Sequence, residues 1–592
     1  MLRLSFCLFS VLTVAAWADP QPVVPNVVQD QFRPLPSDNQ KLTGLLANRL
    51  RANHEGFLEH IDIPSLLKPF MAKTGSESEA VAQGEFVGRF LKAASNAYEY
   101  RHDPQLKTLM DKVTVQLLSF QAKDGYFGAY TTGERWTSDD LLVHRWILLG
   151  LLSYWQATGE EDAYTSSQLI GDLLVQTFGE KGSKRALLAK ANGENRSFRL
   201  AALQTLEPLI VLYRYTADPN YLDFCKFIVR ATDIRNTLIV PASKADLPGT
   251  LLGLSGLADL YRMTGDKAYL EPVLRDWKAL AGNNGLLTGA PATGDAVDNG
   301  VTVAWMKLTL NLLRITGESQ YGQQLERTIY NQLSSAQDMQ TGGIAAEVAF
   351  AGRKTFSSRL LPATGRSVLS EAEGLALIPQ AIWGRYADGV LLNLYTGGRA
   401  TVQLRRRGLV QIYSEASFPE TGEMLLHIEP SHSIQFSLFL RVPDWTSSFA
   451  VDIAGQRLLG KPGELLTINR EWKRGDTVKV SVAMNARILG GSDETAGRIA
   501  IQRGPQILAL SKTLNPRIGD LAAASVLSVA SVRFKLSPAA VPLPAAWDGD
   551  QAYGIEGEYG GQKQSLVLVP FADAINYQIW LKKPNVPGGV EE

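Results

Sequence analysis

The side chains of this sequence that can do chemistry are mainly carboxylates. The chain has no Gly-rich phosphate loop followed by Lys-Ser or Lys-Thr, no His-Glu-x-x-His and no Gly-x-Ser-x-Gly. Nucleotide hydrolysis, helical zinc proteolysis and serine hydrolysis therefore have no sequence basis. Carboxylates in a pocket walled by aromatic side chains remain. Cleavage of a glycosidic bond uses this combination, with one carboxyl as acid and another as base or nucleophile.

The composition argues against a polyanionic partner. Lys plus Arg and Asp plus Glu number 59 each among 592 residues, whereas nucleic-acid binding relies on a basic surface. The 45% of apolar residues and 20% of charged residues are typical of a folded globular protein. Eleven Trp and nineteen Tyr are compatible with sugar stacking, although core packing is the favoured explanation. We expect a glycan partner and no nucleic acid.

The first eighteen residues have the pattern of an export signal. Arg3 precedes the apolar run LSFCLFSVLTVAA, and Ala16-Trp17-Ala18 fits the cleavage rule. This pattern predicts a leader over residues 1–18 and a mature chain that begins at Asp19. No later apolar run is long enough to predict a membrane span. We expect an exported protein, periplasmic or extracellular.

Cysteine usage limits metal and disulfide chemistry. Of two cysteines, Cys7 falls in the predicted leader, and Cys225 lies in the helical pattern YLDFCKFIV. One remaining thiol excludes a disulfide framework within the chain and a zinc site built from several thiolates. The sequence therefore predicts no metal and no cofactor.

A short sequence pattern that marks the turn between two predicted helices recurs along the first part of the chain. Helical apolar stretches end in Thr-Gly-Asp-like residues, followed by Tyr and a second helical stretch, about 50 residues apart. The marks lie near Asp103 and at Thr158–Tyr164, Thr216–Tyr221, Thr264–Tyr269 and Thr316–Tyr321. They predict five helical hairpins, with a sixth from Leu45–Leu67 or Leu369–Ile382. A closed ring, the (α/α)6 barrel, is favoured over an α-solenoid because long connections between hairpins suit a central pocket.

The period of the apolar pattern changes to two from about Val390. Ile434, Phe436, Leu438 and Leu440 alternate with more polar residues, and turn sequences are frequent. Short strands at this density predict an antiparallel β-sandwich. The predicted fold class is a multidomain α + β chain, with a helical barrel over residues 19–385 and one or more sandwich domains over 386–592.

Several strings resemble glycoside hydrolase family 127, the β-L-arabinofuranosidases. They occur in the family's order and cover most of the chain after the predicted leader. They are GEFVGRFL at Gly84–Leu91, DGYFGAY at Asp124–Tyr130, VHRWILLGLLSYWQATG at Val143–Gly159, TLEPLIVLYRYTADPNYLDF at Thr205–Phe224, VTVAWMKLTLNLLRITGESQYGQQLERTIYN at Val301–Asn331, GLALIP at Gly374–Pro379, and REWKRGD with QRGP in the sandwich. The resemblance implies the same architecture, a barrel followed by β-sandwich modules.

The catalytic residues implied by this resemblance are not all present. The family places Glu-Thr-Cys before the Val-Thr-Val helix and Cys-Cys before Gly-Leu-Ala-Leu, where they hold zinc and supply a cysteine nucleophile. Here the triplet reads Asp298-Asn299-Gly300, and the pair reads Arg366-Ser367 when no gap is placed before Gly374. The segment expected to carry the acid/base glutamate, GLLTGAPATGDAV, contains Asp295 and no Glu.

The candidate catalytic residues are Asp298, Glu371, Glu373 and His144. Asp298 occupies a metal-ligand position of the family, and as the residue before a long helix it is equally an N-cap. Glu371 and Glu373 fall on the expected nucleophile loop, where solvated loop charges are the simpler interpretation. His144 matches a family active-site histidine and is a candidate for sugar binding or proton transfer, with a hydrogen-bonded structural role as the alternative.

Tyr126 and Trp136 are predicted on loops between helices, where they can serve as sugar platforms or pack in the core. Two functions remain open. The first is a glycoside hydrolase that uses two carboxylates without zinc. The second is a non-catalytic carbohydrate-binding protein that retains the barrel, and a polysaccharide lyase is a weaker third. Fold-level analogy favours the enzyme. The sequence leaves the sugar and the oligomeric state open.

Overall fold

The computed structural model describes most of the chain beyond the predicted leader. The described residues are 20–71, 83–128, 130–136, 139–190, 196–234, 246–282, 286–292, 294–405, 407–492, 495–526, 537–538 and 551–583. The predicted leader, residues 1–18, lies outside them. Within the described ranges, no helix combines the length and the apolar character needed to cross a membrane.

Helices form the first half of the chain. In chain order they are α1 (Leu45–Arg51), α2 (Ile63–Met71), α3 (Glu85–Arg101), α4 (Pro104–Leu118), α5 (Asp140–Thr158), α6 (Glu161–Phe178), α7 (Ala186–Lys190), α8 (Arg196–Gln204), α9 (Leu206–Thr216), α10 (Pro219–Thr232), α11 (Leu247–Thr264), α12 (Leu270–Ala281), α13 (Asn299–Thr316), α14 (Ser319–Arg327) and α15 (Gly365–Ala376). Two π-helical turns, Ala52–Phe57 and Thr328–Leu333, directly follow α1 and α14.

Six inner helical segments form a closed ring. Going round it, α3 contacts α5, α5 contacts α8 and α9, these contact α11, α11 contacts α13, α13 contacts α15, and α15 returns to α3. This closure confirms the (α/α)6 barrel and excludes the α-solenoid. The sixth hairpin is formed by both of the alternative segments predicted from the sequence, Leu45–Leu67 and Leu369–Ile382. The inner helix α15 packs against α1 and the π-helical turn that follows α1, from the other end of the helical region.

The repeated sequence marks are helix stops followed by helix starts. The first helix of five hairpins ends at a residue in the left-handed conformation, with φ between 50° and 77°, whose N–H donates to the carbonyl four residues earlier. Three of the acids that follow, Asp103, Asp218 and Asp266, accept backbone N–H groups of the next helix through their side chains. The marks therefore specify hairpin turns.

An N-terminal strap, residues 20–31, crosses the far end of the ring. Its N–H groups donate to the carbonyls of Arg214, Arg262 and Arg314, which end α9, α11 and α13. Asp30 adds ion pairs with Arg262 at 2.8 Å and with Arg314 at 3.1 Å. The strap thereby ties three inner helices together.

Strands follow the helices, although the first of them come from the N-terminal region. They are β1 (Phe32–Pro34), β2 (Gln40–Thr43), β3 (Ala296–Asp298), β4 (Glu347–Ala349), β5 (Ala351–Arg353), β6 (Trp383–Tyr386), β7 (Gly389–Leu392), β8 (Gly397–Leu404), β9 (Gly408–Ala416), β10 (Glu423–Pro430), β11 (Ile434–Arg441), β12 (Phe449–Ile453), β13 (Gln456–Gly460), β14 (Leu465–Trp472), β15 (Asp476–Val482), β16 (Ala486–Gly490), β17 (Arg498–Arg503), β18 (Gln506–Ser511), β19 (Ser525–Val526), β20 (Ser537–Pro538), β21 (Tyr553–Tyr559), β22 (Gln562–Pro570), β23 (Asn576–Gln578) and β24 (Leu581–Lys582).

The strands form the predicted, mainly antiparallel β-sheet region. One sheet has the order β1-β6-β7-β11-β14 and another the order β13-β12-β15-β10-β9-β8-β2. A third runs β16-β17-β24-β19-β21-β22-β18-β23-β5, and β17 also pairs with β18, so part of this sheet closes on itself. The boundary predicted between residues 385 and 386 falls inside β6, because the first sandwich hairpin already begins at Trp383.

The inner helices α3 and α5 approach each other through glycines. A Cβ atom on Gly88 would lie 2.1 Å from the carbonyl oxygen of Trp146, and one on Gly150 would lie 2.4 Å from the carbonyl oxygen of Gly88. Both obstacles are backbone atoms of the facing helix, so a side chain at either position forces the helices apart. The contact between α3 and α5 requires glycine at both positions.

We predict that Gly88→Ala destabilises the protein. Overpacking of a close helix contact costs about 1–3 kcal/mol and more when backbone must move. The melting temperature by calorimetry should fall by several degrees. Gly133→Ala is the matched control, because no atom lies within 4 Å of its Cβ position. Equal melting temperatures for the two variants would contradict this packing.

Candidate active site

A cavity of about 700 Å³ opens where the inner helices begin. Residues from the starts of α3, α5, α11, α13 and α15, together with β3 and β4, line it. Five carboxylates and three cations face this space. They are Asp139, Asp246, Asp298, Glu347, Glu373, Arg89, Lys307 and Arg366. Acidic groups beside fixed cations in an enclosed space can perform acid/base chemistry.

Asp298 is both a helix cap and a wall residue of the cavity. One carboxylate oxygen accepts the N–H of Gly300 at 2.7 Å, at the start of α13. The other accepts a hydrogen bond from the hydroxyl of Ser367 at the start of α15. The two interpretations of Asp298 are therefore compatible, since the cap itself holds the carboxylate at the cavity wall.

Glu347 lies beside Asp298 across a short ribbon. β3 and β4 are antiparallel, and Asp298 is directly opposite Glu347 in their register. Side chains that face each other in this way have Cβ atoms about 4.5–5.5 Å apart. The ribbon thus brings a second carboxylate to the same wall.

Asp139 provides a carboxylate in a different environment. It precedes α5 and is half-buried on the cavity wall. Burial raises the pKa of Asp139, the nearby Arg366 opposes this shift, and Glu85 adds to it. Arg366 also interacts with Asp298. A single guanidinium thus lies within electrostatic reach of two cavity carboxylates.

Arg366 and Arg89 are held by one buried carboxylate. Glu85, fully buried at the start of α3, accepts hydrogen bonds from Arg89 at 2.8 Å and from Arg366 at 2.6 Å. The indole of Trp146 lies between the guanidinium groups of Arg89 and Arg145, each 3.7 Å from the ring centroid. The stacking on Trp146 holds Arg89 in place, and Glu85, which does not line the cavity, holds both Arg89 and Arg366.

A buried ion-pair network forms the floor of the cavity. Lys307 on α13 lies 2.9 Å from Glu373 and 3.2 Å from Glu207, and Arg145 donates to Glu207 at 2.7 Å. Burial alone would raise the pKa of Glu207, but Lys307 and Arg145 outweigh it and lower the pKa to about 2. Lys307 and Glu373 also border a second cavity of about 190 Å³ on the far side. The network separates the two spaces.

Glu371 does not reach the cavity. The segment predicted as a loop is the helix α15, since Val368, Leu369, Ala372 and Leu375 recur at helical spacing. Glu373 therefore faces the cavity, whereas Glu371 is fully buried elsewhere in the helix. Among the described residues, neither of its carboxylate oxygens has a hydrogen-bond partner. Burial raises the pKa of Glu371 well above its usual range.

Tyr126, Trp136 and His144 form a closed aromatic cluster and do not line the cavity. Their rings lie 4.7–5.5 Å apart, centroid to centroid, and all three are buried. Asp140 accepts the hydroxyl of Tyr126 and the N–H of Trp136, which has a left-handed φ of 70°. The two neighbouring aspartates therefore have different roles. Asp139 faces the cavity, and Asp140 accepts hydrogen bonds from Tyr126 and Trp136 of the cluster.

His144 has both ring nitrogens satisfied by the backbone. Nε2 lies 2.9 Å from the N–H of Phe127, and Nδ1 lies 2.7 Å from the carbonyl oxygen of Asp140. These partners require a neutral ring that donates from Nδ1 and accepts at Nε2. Burial lowers the pKa of His144 to about 4. The geometry corresponds to the structural alternative of the sequence analysis.

The residues at the family's zinc positions do not fit a zinc ion. Gly300 and Ser367 offer no thiolate, and the Asp298 carboxylate is engaged by the Gly300 N–H and the Ser367 hydroxyl. Arg366 brings a guanidinium to the same place. A permanent positive charge and the lack of thiolates oppose cation binding there.

Asp139, Lys307, Arg366 and Glu347 are cavity residues that the sequence patterns do not single out as site residues. A signal exists for Lys307, which is the lone charge in the apolar helical run VTVAWMKLTLNLL. Arg366 stands out in the sequence only as the residue at the position of a missing cysteine. Glu347 had no signal, because its position depends on a pairing with β3 nearly fifty residues earlier.

Comparisons with known proteins agree with this architecture. The model of the β-L-arabinofuranosidase GH127 catalytic domain matches residues 36–346, and that of the GH127 middle domain matches residues 389–484. A non-reducing end β-L-arabinofuranosidase of Bifidobacterium longum subsp. longum is 22% identical over an alignment of 539 positions, and this alignment covers 74% of this chain and 77% of the relative.

Two solved structures have a similar fold. A GH127 β-arabinofuranosidase aligns with a TM-score of 0.78 at 19% identity, covering 94% of this chain and 98% of its own. The GH127 β-L-arabinofuranosidase of Geobacillus stearothermophilus T6 aligns with a TM-score of 0.74 at 18% identity, covering 92% and 100%.

We predict that Glu207 makes the protein acid-sensitive. Its folded pKa lies below the ordinary value of 4.5, so its stabilising contribution is complete above pH 4.5 and is lost as the pH falls towards 2. A shift of this size corresponds to about 3 kcal/mol. Glu207→Gln should lower the free energy of unfolding at pH 7 by about this amount and flatten its decline between pH 5 and 2.5, measured by urea denaturation.

The control is Glu180→Gln, whose side chain is 69% exposed in a surface ion pair with Arg230. Its effect should be about 0.5 kcal/mol or less at any pH. A Glu207→Gln profile parallel to that of the wild type would show that the buried network does not govern acid stability.

Proposed function

The chain belongs to glycoside hydrolase family 127, and from this premise we propose that it is an exported glycoside hydrolase that removes an arabinofuranose-like sugar from the end of a glycan. The observation that carries the proposal is the acidic cavity at the centre of the family's catalytic domain. The activity named for the Bifidobacterium relative supports the choice of sugar.

The shape of the cavity favours a chain end as substrate. Its floor is sealed by Lys307, which is paired with Glu207 and Glu373. The smaller cavity of about 190 Å³ lies behind this ion-pair floor. A sugar chain that enters at the open end meets the floor, which favours entry by its terminus. The proposed activity is therefore exo-acting.

Asp298 is the proposed base or nucleophile. It is oriented by the N–H of Gly300 and the hydroxyl of Ser367, which donate to its two carboxylate oxygens. Asp139 is the proposed acid, because burial raises its pKa and keeps it protonated to a higher pH. In the reaction, Asp139 protonates the departing glycosidic oxygen. As a nucleophile, Asp298 forms an ester with the sugar carbon while the bond to the departing oxygen breaks, and water that gives a proton to Asp139 then hydrolyses this ester. As a base, Asp298 takes a proton from a water molecule whose oxygen attacks the sugar carbon directly.

We propose that this chemistry proceeds without the family's zinc and thiolate. The support is the donor set, in which Gly300, Arg366 and Ser367 replace the cysteines. Of the acids predicted from the sequence, Asp298 is retained in the proposed role. Glu373 is assigned to the cavity floor and Glu371 to the helix interior, because one is paired with Lys307 and the other does not line the cavity.

A non-catalytic sugar-binding protein is the second candidate. The observation that favours it is the engagement of both Asp298 oxygens by Gly300 and Ser367, which an inert cap would also show. Export from the leader over residues 1–18 is proposed for either function. N-terminal sequencing of protein recovered outside the cytoplasm, beginning at Asp19, tests it.

We predict that Asp298→Asn abolishes turnover while the protein stays folded. Asn caps a helix almost as well as Asp but cannot act as base or nucleophile. On a panel of aryl glycosides that includes β-L-arabinofuranosides, kcat should fall at least about 100-fold with little change in melting temperature. Asp295→Asn, an exposed neighbour in the same segment, should retain wild-type kcat.

Two outcomes would reject the catalytic assignment. If Asp298→Asn keeps wild-type kcat, its role is only that of a cap. If wild-type protein binds the sugars by calorimetry and cleaves none of them, the sugar-binding candidate is correct.

We predict that Asp139→Asn changes the pH profile and the leaving-group dependence. Without a proton donor, substrates with poor leaving groups should lose about 100-fold or more in kcat, while aryl substrates with acidic leaving groups should lose much less. The decline of kcat/KM on the alkaline side should disappear. A uniform loss on all substrates with an unchanged pH profile would remove Asp139 from the role of acid.

A further inference from the structure

Three potential metal-ligating side chains converge on the outside of the barrel, away from the cavity. The Nε2 atom of His54 lies 3.2 Å from a carboxylate oxygen of Glu59 and 3.7 Å from Oδ2 of Asp103. One donor atom from each side chain lies within 4.8 Å of the other two. None of these residues lines the candidate active site.

The local backbone explains how these residues meet. His54 belongs to the π-helical turn Ala52–Phe57, and Glu59 belongs to the 3₁₀ turn that follows it. Single π-helical turns occur frequently at functional sites. Asp103 caps α4, and its Oδ1 accepts the N–H of Gln105 at 2.8 Å. This cap fixes the carboxylate and leaves Oδ2 directed at His54.

His54 is buried without hydrogen bonds. Only 2% of the residue is exposed, and in the described part of the chain neither ring nitrogen has a hydrogen-bond partner. Native proteins rarely leave buried polar atoms unsatisfied, and an unseen ion is one established explanation.

The donor spacing fits a small tetrahedral ion. Zinc binds nitrogen and oxygen at about 2.0–2.2 Å, so neighbouring ligands in a tetrahedron lie roughly 3.3–3.6 Å apart. The distances of 3.2 and 3.7 Å from Nε2 of His54 bracket this value, and the carboxylate oxygens of Glu59 and Asp103 lie within 4.8 Å of each other. We propose that His54, Glu59 and Asp103 bind one divalent transition-metal ion of the zinc class, with water as the fourth ligand.

The surrounding charges are compatible with this ion. The two carboxylates balance its charge, and an imidazole ligand favours a transition metal over calcium or magnesium. Arg101, a cation that acts electrostatically on His54 and Asp103, is paired with Glu55 at 2.5 Å. The ion would join the turns after α1 to the start of α4, which gives it a structural role. The sequence-based expectation of no metal depends on the missing thiolates, and a site built from one histidine and two carboxylates lies outside that argument.

The test uses the full chain without a His-rich tag, stripped of metal by chelator. Addition of Co²⁺ should produce the visible absorption of tetrahedral cobalt with a stoichiometry of one per chain, and Zn²⁺ should abolish it. Zinc should also raise the melting temperature. His54→Gln and Glu59→Gln should each lose the cobalt spectrum and most of the zinc-dependent stabilisation.

His60→Gln is the matched control, because His60 is an exposed histidine in the same turn as Glu59. It should retain both signals. The proposal is overturned if stripped wild-type protein gives no cobalt spectrum, or if Glu59→Gln and His54→Gln bind cobalt as the wild type does. Since Glu59 is partly exposed, Glu59→Gln keeps the test valid should His54→Gln fail to fold.

Discussion

The inner helices of the barrel bury carboxylates at the centre of the ring, and the negative charges of these groups must be neutralised there. Lys307 supplies the positive charge. Glu207 and Glu373 come from different inner helices and face the same point on the axis. Without a cation between them, two buried carboxylates would repel each other at close range. The pairing closes the centre of the ring, and this closure gives the candidate active site a floor.

The helical half of the fold was predictable because its signals are local. Helix stops in the left-handed conformation and acidic caps leave short, repeated marks such as TGDKAY. The sixth hairpin was harder, because α15 and α1 lie more than three hundred residues apart in sequence. For the same reason, the pairing of β1 and β2 with β6 and β8 has no local signal. Long-range pairing is decided by packing rather than by residue preference.

The site was predictable only where family position and local geometry agreed. Asp298 lies at a helix start, so its place on the cavity wall follows from the cap. Sequence could not separate Glu371 from Glu373, because a shift of two residues on a helix decides which one faces the cavity. His144 matched the family motif, yet the backbone of Phe127 and Asp140 satisfies both of its nitrogens.

At the positions where the family has thiolates, this chain has no thiol and carries the positive charge of Arg366. This charge changes the electrostatic environment of the carboxylates in the cavity. A zinc ion would attract every carboxylate around it. Arg366 is instead hydrogen-bonded to Glu85, and from this position its charge interacts with those of Asp139 and Asp298. Asp298 accepts two hydrogen bonds, while Asp139 experiences mainly burial. An acid and a base require two carboxyl groups in different environments, and here Asp139 differs from Asp298 in its burial and in its hydrogen-bond partners. Under the proposed function, cleavage of a glycosidic bond without zinc therefore depends on the local environments of these two aspartates, with Asp139 as the acid and Asp298 as the base or nucleophile.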